Sequence, residues 1–486
     1  MDPKTKLTGS IGQDLPGLQQ VLRDCDDVRI RKFQLPDSGK EAVLIYSDGI
    51  TNKIAINRLT LLLLEINADG LRDASLGDKL FTVGETSSDS YLSAIAAKVL
   101  RGCTALLVES ETSCRLIDTY EPKTRAVEEP LSEAVVRGPR VGFTESLSDN
   151  IAILRQQGEN PGMAVVTVKV GTTIKKDLAV VYIKDIADPE LVEEVMRRIR
   201  LIDLDHIAES GYVEQLIEDD HFSPFPQLQN TERPDRVVSA IVEGRVAILL
   251  DGTPFAVIAP ATVTMMLQSP EDYYERWVPG TLIRVLRFGA AIISLFAPAL
   301  YISLISFHPG LIPTKLAITI MGTRLGVPFS SLTEALIMEG AIEVLREAGL
   351  RLPKGVGSAM GIVGGIIIGE AAVQAGIVSP TLVVVVALTA VCSFSMPQYS
   401  TGLSFRMLRF VAMFCSALFG LYGIILFFLI LTSHMAKLTS FGVPYLTPAV
   451  PYRLSDWKDV FVRVPLAMMK RRPKMMRTIR PKRKGS

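Results

Sequence analysis

The residue whose chemistry is most informative is Glu370, a carboxylate inside a long apolar run. It follows the glycine-rich stretch GVGSAMGIVGGIIIG, and Gln374 comes one helical turn later on the same side. A carboxylate at membrane depth costs about 2.5–3.5 kcal/mol on insertion scales, so it usually faces a polar cavity, a partner or a pore. Two interpretations stay open: a polar site within a membrane, or a helix that ends early and leaves Glu370 paired or near the lipid headgroups.

Glycines form one face of the same predicted helix. Gly357, Gly361, Gly365 and Gly369 recur every four residues, and Gly364 adds flexibility. Small residues at this spacing allow helices to approach closely in lipid, where packing replaces the hydrophobic effect as the driving force. The pattern predicts a helix that packs tightly against other helices.

The sequence contains none of the motifs typical of conventional catalysis. There is no Walker A motif, no HExxH, no GxSxG and no zinc-type spacing, and the five cysteines form no CxxC pair. With 21% charged residues, the composition also argues against a highly charged nucleic-acid-binding protein. We therefore expect no enzyme, no cofactor, no metal site and no nucleic-acid partner.

The near-zero net charge conceals a division along the chain. Lys and Arg number 52 and Asp and Glu number 51, yet basic residues exceed acidic ones by 15 from Thr281 onward, and acidic residues are in excess by 14 before it. Such an asymmetry suggests two regions with different surroundings.

The elements that must position Glu370 are long uncharged segments in the second half of the chain. Apolar runs of about 18 or more residues are long enough to cross the hydrocarbon core as helices. We predict four spans, near residues 284–306, 356–378, 381–397 and 407–433. The alternative is that these runs are buried core helices of a large soluble protein. Three long uncharged runs within such a short stretch argue against it.

The stretch 308–350 separates the first two predicted spans. The sequence Ser331-Leu332-Thr333-Glu334 forms a capping box, which predicts the start of a helix. Glu339 and Glu343 fall on one polar face of this helix. We predict an amphipathic or re-entrant segment that lies in the membrane interface or packs beside the spans.

The first 280 residues alternate between strand-like and helix-like segments. The sequence RGPRVG predicts a break near residue 137, which gives two cytosolic α/β subdomains, 1–137 and 138–280. The apolar runs 237–242 and 246–250 are predicted as strands of the second subdomain. The predicted fold class is an α+β multi-domain membrane protein, in which these two soluble α/β subdomains precede an α-helical transmembrane bundle over 281–436.

Residues 437–486 form a predicted basic cytoplasmic tail. Its segment KRRPKMMRTIRPKRK carries nine Lys and Arg residues and no acidic residue. Basic flanks of membrane spans stay in the cytoplasm, so both termini are expected on that side, with the tail drawn to anionic membrane lipids.

One long segment resembles a known family. The sequence SPFPQLQNTERPDRVVSAIVEGRVAILLDGTPFAVIAPATVTMMLQSPEDYYERW, which begins at Ser223, is similar to the signature of the A subunit of GerA-type spore germinant receptors. The likeness continues in LIRVLRF, LREAGLRLP, MPQYSTGLSFRMLR and SFGVPY, and it covers nearly the whole chain after about residue 100.

The resemblance implies a location, partners and an activity. Members of the family lie in the inner membrane of the bacterial endospore, with both soluble subdomains in the spore core. They act with a transporter-like B subunit and a lipoprotein C subunit. The resemblance implies that the A subunit forms a homo-oligomer, a pentamer, and a nutrient-gated channel for monovalent cations that initiates germination. A relative, stage V sporulation protein AF, implies an ion-release channel with the same layout.

The resemblance gives the candidate residues a setting. Repeated by symmetry, Glu370 would place an acidic ring that favours cations, and Glu339 and Glu343 would place a second acidic ring at the mouth. The residues expected to couple the soluble part to the first span are Glu232, Arg233, Asp235, Glu243, Arg245, Asp272, Tyr273 and Arg276. Ordinary structural salt bridges account for this last group equally well.

Two other classes of function stay open from the sequence. A transporter would bind its substrate at broken helices near the membrane midplane. A non-conducting scaffold would recruit or signal to receptor partners through the soluble subdomains while another subunit conducts.

Overall fold

A computed structural model describes residues 5–36, 39–65, 84–121, 129–130, 133–158, 160–351, 365 and 369–483. The chain divides into two compact units. Unit 1 comprises Met1–His221, Leu228–Pro260 and Leu466–Ser486, and unit 2 comprises Phe222–Gln227 and Ala261–Pro465. The chain therefore passes between the units four times along its length.

Unit 1 contains two antiparallel five-stranded sheets. The strands of the first sheet follow the order β1-β2-β4-β5-β3, and those of the second follow the order β6-β7-β9-β10-β8. The strands are β1 Val28–Gln34, β2 Glu41–Ser47, β3 Thr86–Asp89, β4 Cys103–Val108, β5 Cys114–Asp118, β6 Met163–Val170, β7 Lys176–Ile183, β8 Gln229–Thr231, β9 Val246–Leu250 and β10 Ala256–Ala259.

The helices of unit 1 cover these sheets. They are α1 Ile11–Val21, α2 Lys53–Glu65, α3 Leu92–Leu100, α4 Leu147–Gln156, α5 Pro189–Arg200, α6 Ser210–Ile217 and α7 Pro234–Val242. Val43 and Ile45 of β2 join the core under α1 and α3, whereas Ala42 and Leu44 face the core under α2. Because alternate residues of a strand point to opposite faces, β2 is buried on both sides.

The prediction of a strand at residues 237–242 was wrong, because this segment is helical. Pro234 occupies the first turn of α7, where its missing N–H costs no hydrogen bond. Val237, Ala240 and Ile241 are buried at helical spacing. A short apolar run fits a strand and a buried helix equally well, and the proline before it was the signal that distinguishes them.

A buried ion pair joins the two α/β halves of unit 1. Arg155 on α4 donates two hydrogen bonds to the carboxylate of Asp27, at 2.9 and 3.0 Å, and a third to the carbonyl of Met163 at 2.8 Å. Both side chains are almost fully buried. Since the pair is bidentate and desolvated, removal of either partner leaves an uncompensated charge in the interior.

Unit 2 is a helical region with a short C-terminal extension. The helices whose bounds lie within the described residues are α8 Val263–Met266, α9 Glu271–Tyr274, α10 Trp277–Ser306, α11 Thr314–Arg324, α12 Ser331–Arg351, α13 Pro380–Phe394, α14 Tyr399–Phe419 and α15 Leu421–Lys437. A strand pair follows, β11 Thr439–Ser440 and β12 Val443–Pro444, with two residues in each strand. Three short 3-10 turns come after it, and the last two of them belong to unit 1.

Two of the described helices are long and apolar enough to cross a membrane, namely α10 with 30 residues and α14 with 21 residues. The helices α13 and α15 are apolar but shorter. Buried core helices of soluble proteins pass the same test, and 44% of the most apolar window of each long helix is buried. Most of the predicted span 356–378 lies outside the described residues.

The unit boundaries differ from the predicted domain boundaries. Residues 261–280 belong to the helical unit rather than to the second α/β subdomain, and the predicted tail is divided at Pro465 between the two units. The tail also has ordered contacts within unit 1. Arg483 pairs with Glu243 at 2.5 Å, and Ile479 donates its backbone N–H to Ile186.

We predict that Arg155→Met destabilises unit 1 by about 3–5 kcal/mol, because Asp27 would stay buried without its counter-charge. Pulse proteolysis of the full chain across a urea series measures this change in the free energy of unfolding. The control is Arg197→Met, which removes an exposed pair with Glu194 and should have little effect. Equal midpoints for the two variants would contradict the role assigned to the buried pair.

We also predict a pH dependence from Glu214 on α6. Burial, followed by the neighbouring carboxylates of Glu218 and Glu209, raises the pKa of Glu214 to about 8. Between the pKa of an unfolded Glu, about 4.3, and the folded value, the native state holds a proton that the unfolded state has lost. The stability of unit 1 should therefore fall as the pH rises through this window, and Glu214→Gln should remove that decline. Identical slopes of unfolding midpoint against pH in both proteins would disprove this assignment.

Candidate functional site

The centre of unit 2 contains charged side chains that are shielded from solvent. Glu339 of α12 and Arg409 of α14 form an ion pair at 2.5 Å, and their side chains are 0% and 1% exposed. Arg409 also donates its Nε–H to the carbonyl of Ser294 on α10, at 2.6 Å. Three helices therefore meet at this single guanidinium.

The ion pairs continue along the same helices. Glu343 accepts hydrogen bonds from Arg346 at 3.0 Å and from Arg406 at 3.3 Å. Arg346 in turn donates to the hydroxyl of Ser393 on α13, at 3.1 Å. We refer to these five residues, Glu339, Glu343, Arg346, Arg406 and Arg409, as the interhelical charge network. It has two acidic and three basic members and a formal charge of +1.

The network determines how α12 is placed. The sequence left open whether its polar face lies in a membrane interface or packs beside the spans, and in the structure this face packs against α14. Arg406 and Arg409 supply the charges that Glu343 and Glu339 need there. The acidic ring at a pore mouth stays a prediction, and within one chain both carboxylates are already paired with arginines.

Sequence reasoning missed Arg406 and Arg409 as partners of these carboxylates. Both lie in the segment MPQYSTGLSFRMLR, and Arg409 falls within a predicted span. Charged residues in membrane-length helices are rare and nearly always pair with another group. The two arginines were therefore the available signal for a network with the glutamates of α12.

A second buried carboxylate, Glu334, lies near the first turn of α12. It accepts hydrogen bonds from Arg324 at 2.7 Å and from the backbone N–H of Ser379 at 3.0 Å. The Ser379 hydroxyl contacts the hydroxyl of Tyr301 on α10, at 2.8 Å. This contact joins the start of α13 to α10 and α12 at one end of the helical unit.

The structure places Glu370 and Gln374 on an exposed surface of unit 2. The side-chain amide of Gln374 donates to Glu370 at 3.1 Å, as expected for residues one turn apart on one helix face. Gly369 is buried, and a Cβ there would lie 3.7 Å from Val383, whereas Gly365 faces open space. Gly357, Gly361 and Gly364 lie outside the described residues.

Buried charges also fix the beginning of α10. Asp272 accepts hydrogen bonds from Arg284 at 3.2 Å and from Arg287 at 2.9 and 3.0 Å. Asp459, from the C-terminal extension, binds Arg284 at 2.8 Å and the hydroxyl of Tyr273 at 2.6 Å. These contacts fasten the extension to the first turns of α10.

The predicted coupling residues form two separate groups. Asp272 and Tyr273 belong to the cluster at the start of α10, and Arg276 is exposed at its N-cap.

The second group lies in unit 1. There Arg233 is buried and binds Asp235 at 2.8 Å, while Arg236 binds Glu133 at 2.6 Å. The other three members are also in unit 1: Glu232 accepts a backbone hydrogen bond from Phe143, Glu243 pairs with Arg483, and Arg245 donates to the carbonyl of Pro260. Coupling between the two groups stays a prediction.

The segment Phe222–Gln227, which contains the start of the signature, belongs to the helical unit. Phe225 is almost fully buried there, with its ring 6.2 Å from those of Phe405, His434 and Tyr445. Hydroxyl groups of unit 2 bind the same segment, since Ser440 donates to the carbonyl of Gln227 at 2.6 Å. Phe225 of the signature therefore has a packing role within unit 2.

Within the described ranges, no group of three or more His, Cys, Asp and Glu residues is arranged to hold a metal ion. The five cysteines are free thiols. The site is accordingly defined by paired charges inside an apolar helical unit.

Comparison with known proteins identifies the family. Residues 17–475 match the family described as Bacillus/Clostridium GerA spore germination protein. The chain belongs to this family of spore germination proteins.

Individual relatives match most of the chain. The chain is 41% identical to spore germination protein GerLA of Bacillus cereus, over 98% of each chain. It is 42% identical to spore germination protein B1 of Bacillus subtilis, over 96% of this chain and 97% of the relative. It is 47% identical to spore germination protein A1 of the same organism, over 77% of each chain.

A solved structure is also similar to part of the chain. It is the crystal structure of the N-terminal domain of the A subunit of the Bacillus megaterium spore germinant receptor GerK3. The similarity covers 53% of this chain and 97% of that chain, with 30% sequence identity and a TM-score of 0.43.

We predict that Asp272→Asn loosens the C-terminal extension, because Arg284 and Arg287 would lose the carboxylate that neutralises them. Limited proteolysis of the full chain should then cleave between residues 450 and 465 several times faster. Lys458→Gln, an exposed change in the same extension, is the control and should be cleaved at the original rate. Equal rates for the three proteins would show that the buried charges do not hold the extension.

Proposed function

We propose that this chain is the A subunit of a nutrient germinant receptor in the inner membrane of the bacterial spore. In this proposal the chain assembles into a homo-oligomer, a pentamer, and forms a cation channel. The channel opens when nutrient is present and so initiates germination. The B and C subunits of the receptor are its expected partners, and both termini face the spore core.

The single observation that carries the channel proposal is the contrast between two kinds of carboxylate in unit 2. Glu334, Glu339 and Glu343 are held by arginines, whereas Glu370 is exposed and its described hydrogen bond is to neutral Gln374. A carboxylate on an apolar helical unit requires water, ions or a neighbouring subunit around it. A ring of such residues around a water-filled axis meets this requirement and favours cations.

The surface of the helical unit supports a membrane location. Large apolar side chains are exposed along α13, α14 and α15, among them Val384, Val391, Phe394, Leu418 and Ile430. Soluble monomers rarely expose contiguous apolar patches of more than a few hundred Å², so such a surface favours contact with lipid or with other subunits. The same surface is compatible with a channel subunit and with a membrane scaffold.

We predict that Glu370→Gln slows potassium release from nutrient-treated spores about tenfold, the equivalent of about 1.4 kcal/mol in an activation barrier. The lost charge would weaken the attraction of cations to the pore. Gly365→Leu should also alter release, since a large side chain prevents close helix packing.

The control for this experiment is Glu190→Gln, which changes an exposed carboxylate of unit 1 and should leave release unchanged. The amount of receptor assembled in the membrane is measured in every strain, so that loss of assembly is distinguished from loss of conduction. Normal potassium release in both the Glu370 and Gly365 variants would exclude the pore assignment.

A further inference from the structure

The helix α12 carries one more carboxylate in line with the interhelical charge network. Glu339, Glu343 and Glu347 follow one another at intervals of four residues, which places them along one side of the helix. Glu347 pairs with Arg351 at 2.5 Å on the surface, where the two side chains are 60% and 79% exposed. An exposed pair of this kind contributes little to stability, so the Glu347 carboxylate is available for another partner.

The facing helix α14 presents two arginines, and the order of the ion pairs fixes the direction of the two helices. Glu339 pairs with Arg409, and Glu343 pairs with Arg406. Residue numbers therefore rise along α12 as they fall along α14, so the helices are antiparallel. A shift of α12 by four residues, or about 6 Å at about 1.5 Å per residue, brings Glu343 opposite Arg409 and Glu347 opposite Arg406.

We propose that α12 has two registers on α14, related by this one-turn shift, and that the shift accompanies opening of the channel. The inference rests on the proposed function for its link to conduction. Glu347 is then a gating residue that replaces Glu343 as the partner of Arg406 in the second register. Glu339 moves one turn along, towards Arg324 and the Ser379 amide that bind Glu334 in the first register.

The first register leaves polar atoms unsatisfied, which favours an exchange between two states. Oε1 of Glu339, Nη2 of Arg409 and Nε of Arg346 are buried without a hydrogen-bond partner. Each such atom costs free energy that an alternative arrangement can recover. Arg406 and Arg409, the two buried arginines of α14, keep a carboxylate partner in either register, so neither guanidinium is left without a counter-charge.

A one-turn step is a recognised form of switching between packed helices. Interdigitated side chains allow discrete registers and resist intermediate positions, because a partial shift sets ridges against ridges. The four-residue spacing of the carboxylates is close to one helical turn, the smallest shift after which nearly the same helix faces meet again.

The register is measured as a distance in the full chain reconstituted in lipid nanodiscs. Spin labels are attached at Val344→Cys on α12 and Met407→Cys on α14, both exposed positions, after replacing the partly exposed native thiols Cys103 and Cys415 with alanine. Glu339→Gln removes the carboxylate of Arg409 in the first register, so the second register should be populated. The expected result is a displacement along the helix of about 6 Å, seen as a new distance between the labels.

Adding Glu347→Gln to Glu339→Gln removes the partner that Arg406 gains in the second register and should restore the original distance. An unchanged distance in the Glu339→Gln protein would overturn the proposal. An equal change in distance with and without Glu347→Gln would also overturn the proposal, because the shift would then not depend on Glu347.

A second experiment measures the effect on potassium release of two surface substitutions that leave the buried network intact. Spores whose sole germinant receptor contains this chain are exposed to rich nutrient broth, and potassium release is followed. Glu347→Gln should slow release at least about tenfold, while the matched variant Arg351→Gln, which frees Glu347, should release potassium as fast as the unmodified protein or faster. Equal rates in these two variants would contradict the gating role of Glu347.

Together, the distance measurement and the potassium-release measurement distinguish failure of this inference from failure of the channel proposal. If the chain does not conduct, the label distances still determine whether the second register exists. If potassium release depends on Glu370 but not on Glu347, the channel proposal stands and the one-turn shift is rejected.

Discussion

The structure depends throughout on one constraint: a charge removed from water must meet an opposite charge or a set of hydrogen-bond acceptors. Arg233, Arg284 and Arg409 are among the largest fully buried side chains of the protein. Each is held by a carboxylate, and each ties together segments that lie far apart in the sequence. Because removing one partner of such a pair costs several kcal/mol, these arginines allow few alternative arrangements of the chain around them.

The same constraint relates the helical unit to its proposed activity. Pairing of Glu334, Glu339 and Glu343 with arginines makes the interior of α10, α12, α13 and α14 electrically balanced to within one charge. Helices with such an interior can lie in apolar surroundings, because their charges are neutralised internally. The exposed carboxylate of Glu370 instead needs water, ions or a polar partner around it. The polar function of the unit is therefore expected at Glu370, and the internal pairs are expected to control the positions of the helices.

Much of this arrangement could be predicted from the sequence, and the exceptions have physical causes. Strands such as β2 and β7 and the helix α5 follow from local periodicity and capping, for example from Asp188 and Pro189 at the start of α5. The helix α7 was mistaken for a strand because an apolar run of six residues fits both periods. The ion pairs of Arg409 and of Arg155 were not foreseen, since their partners lie 70 and 128 residues away. The antiparallel pairing of both sheets is likewise a matter of tertiary structure, which alternation of elements along the chain does not determine.

Recordings of purified protein in planar lipid bilayers test most directly whether this member of the GerA family conducts cations, as proposed. With a potassium chloride gradient across the bilayer, the assembled chain, exposed to rich nutrient broth together with its partner subunits, should give discrete currents that reverse near the potassium equilibrium potential. The Glu370→Gln protein should shift that reversal potential towards zero. A correctly assembled protein that passes no current, with or without its partner subunits, would contradict the channel and favour the non-conducting scaffold.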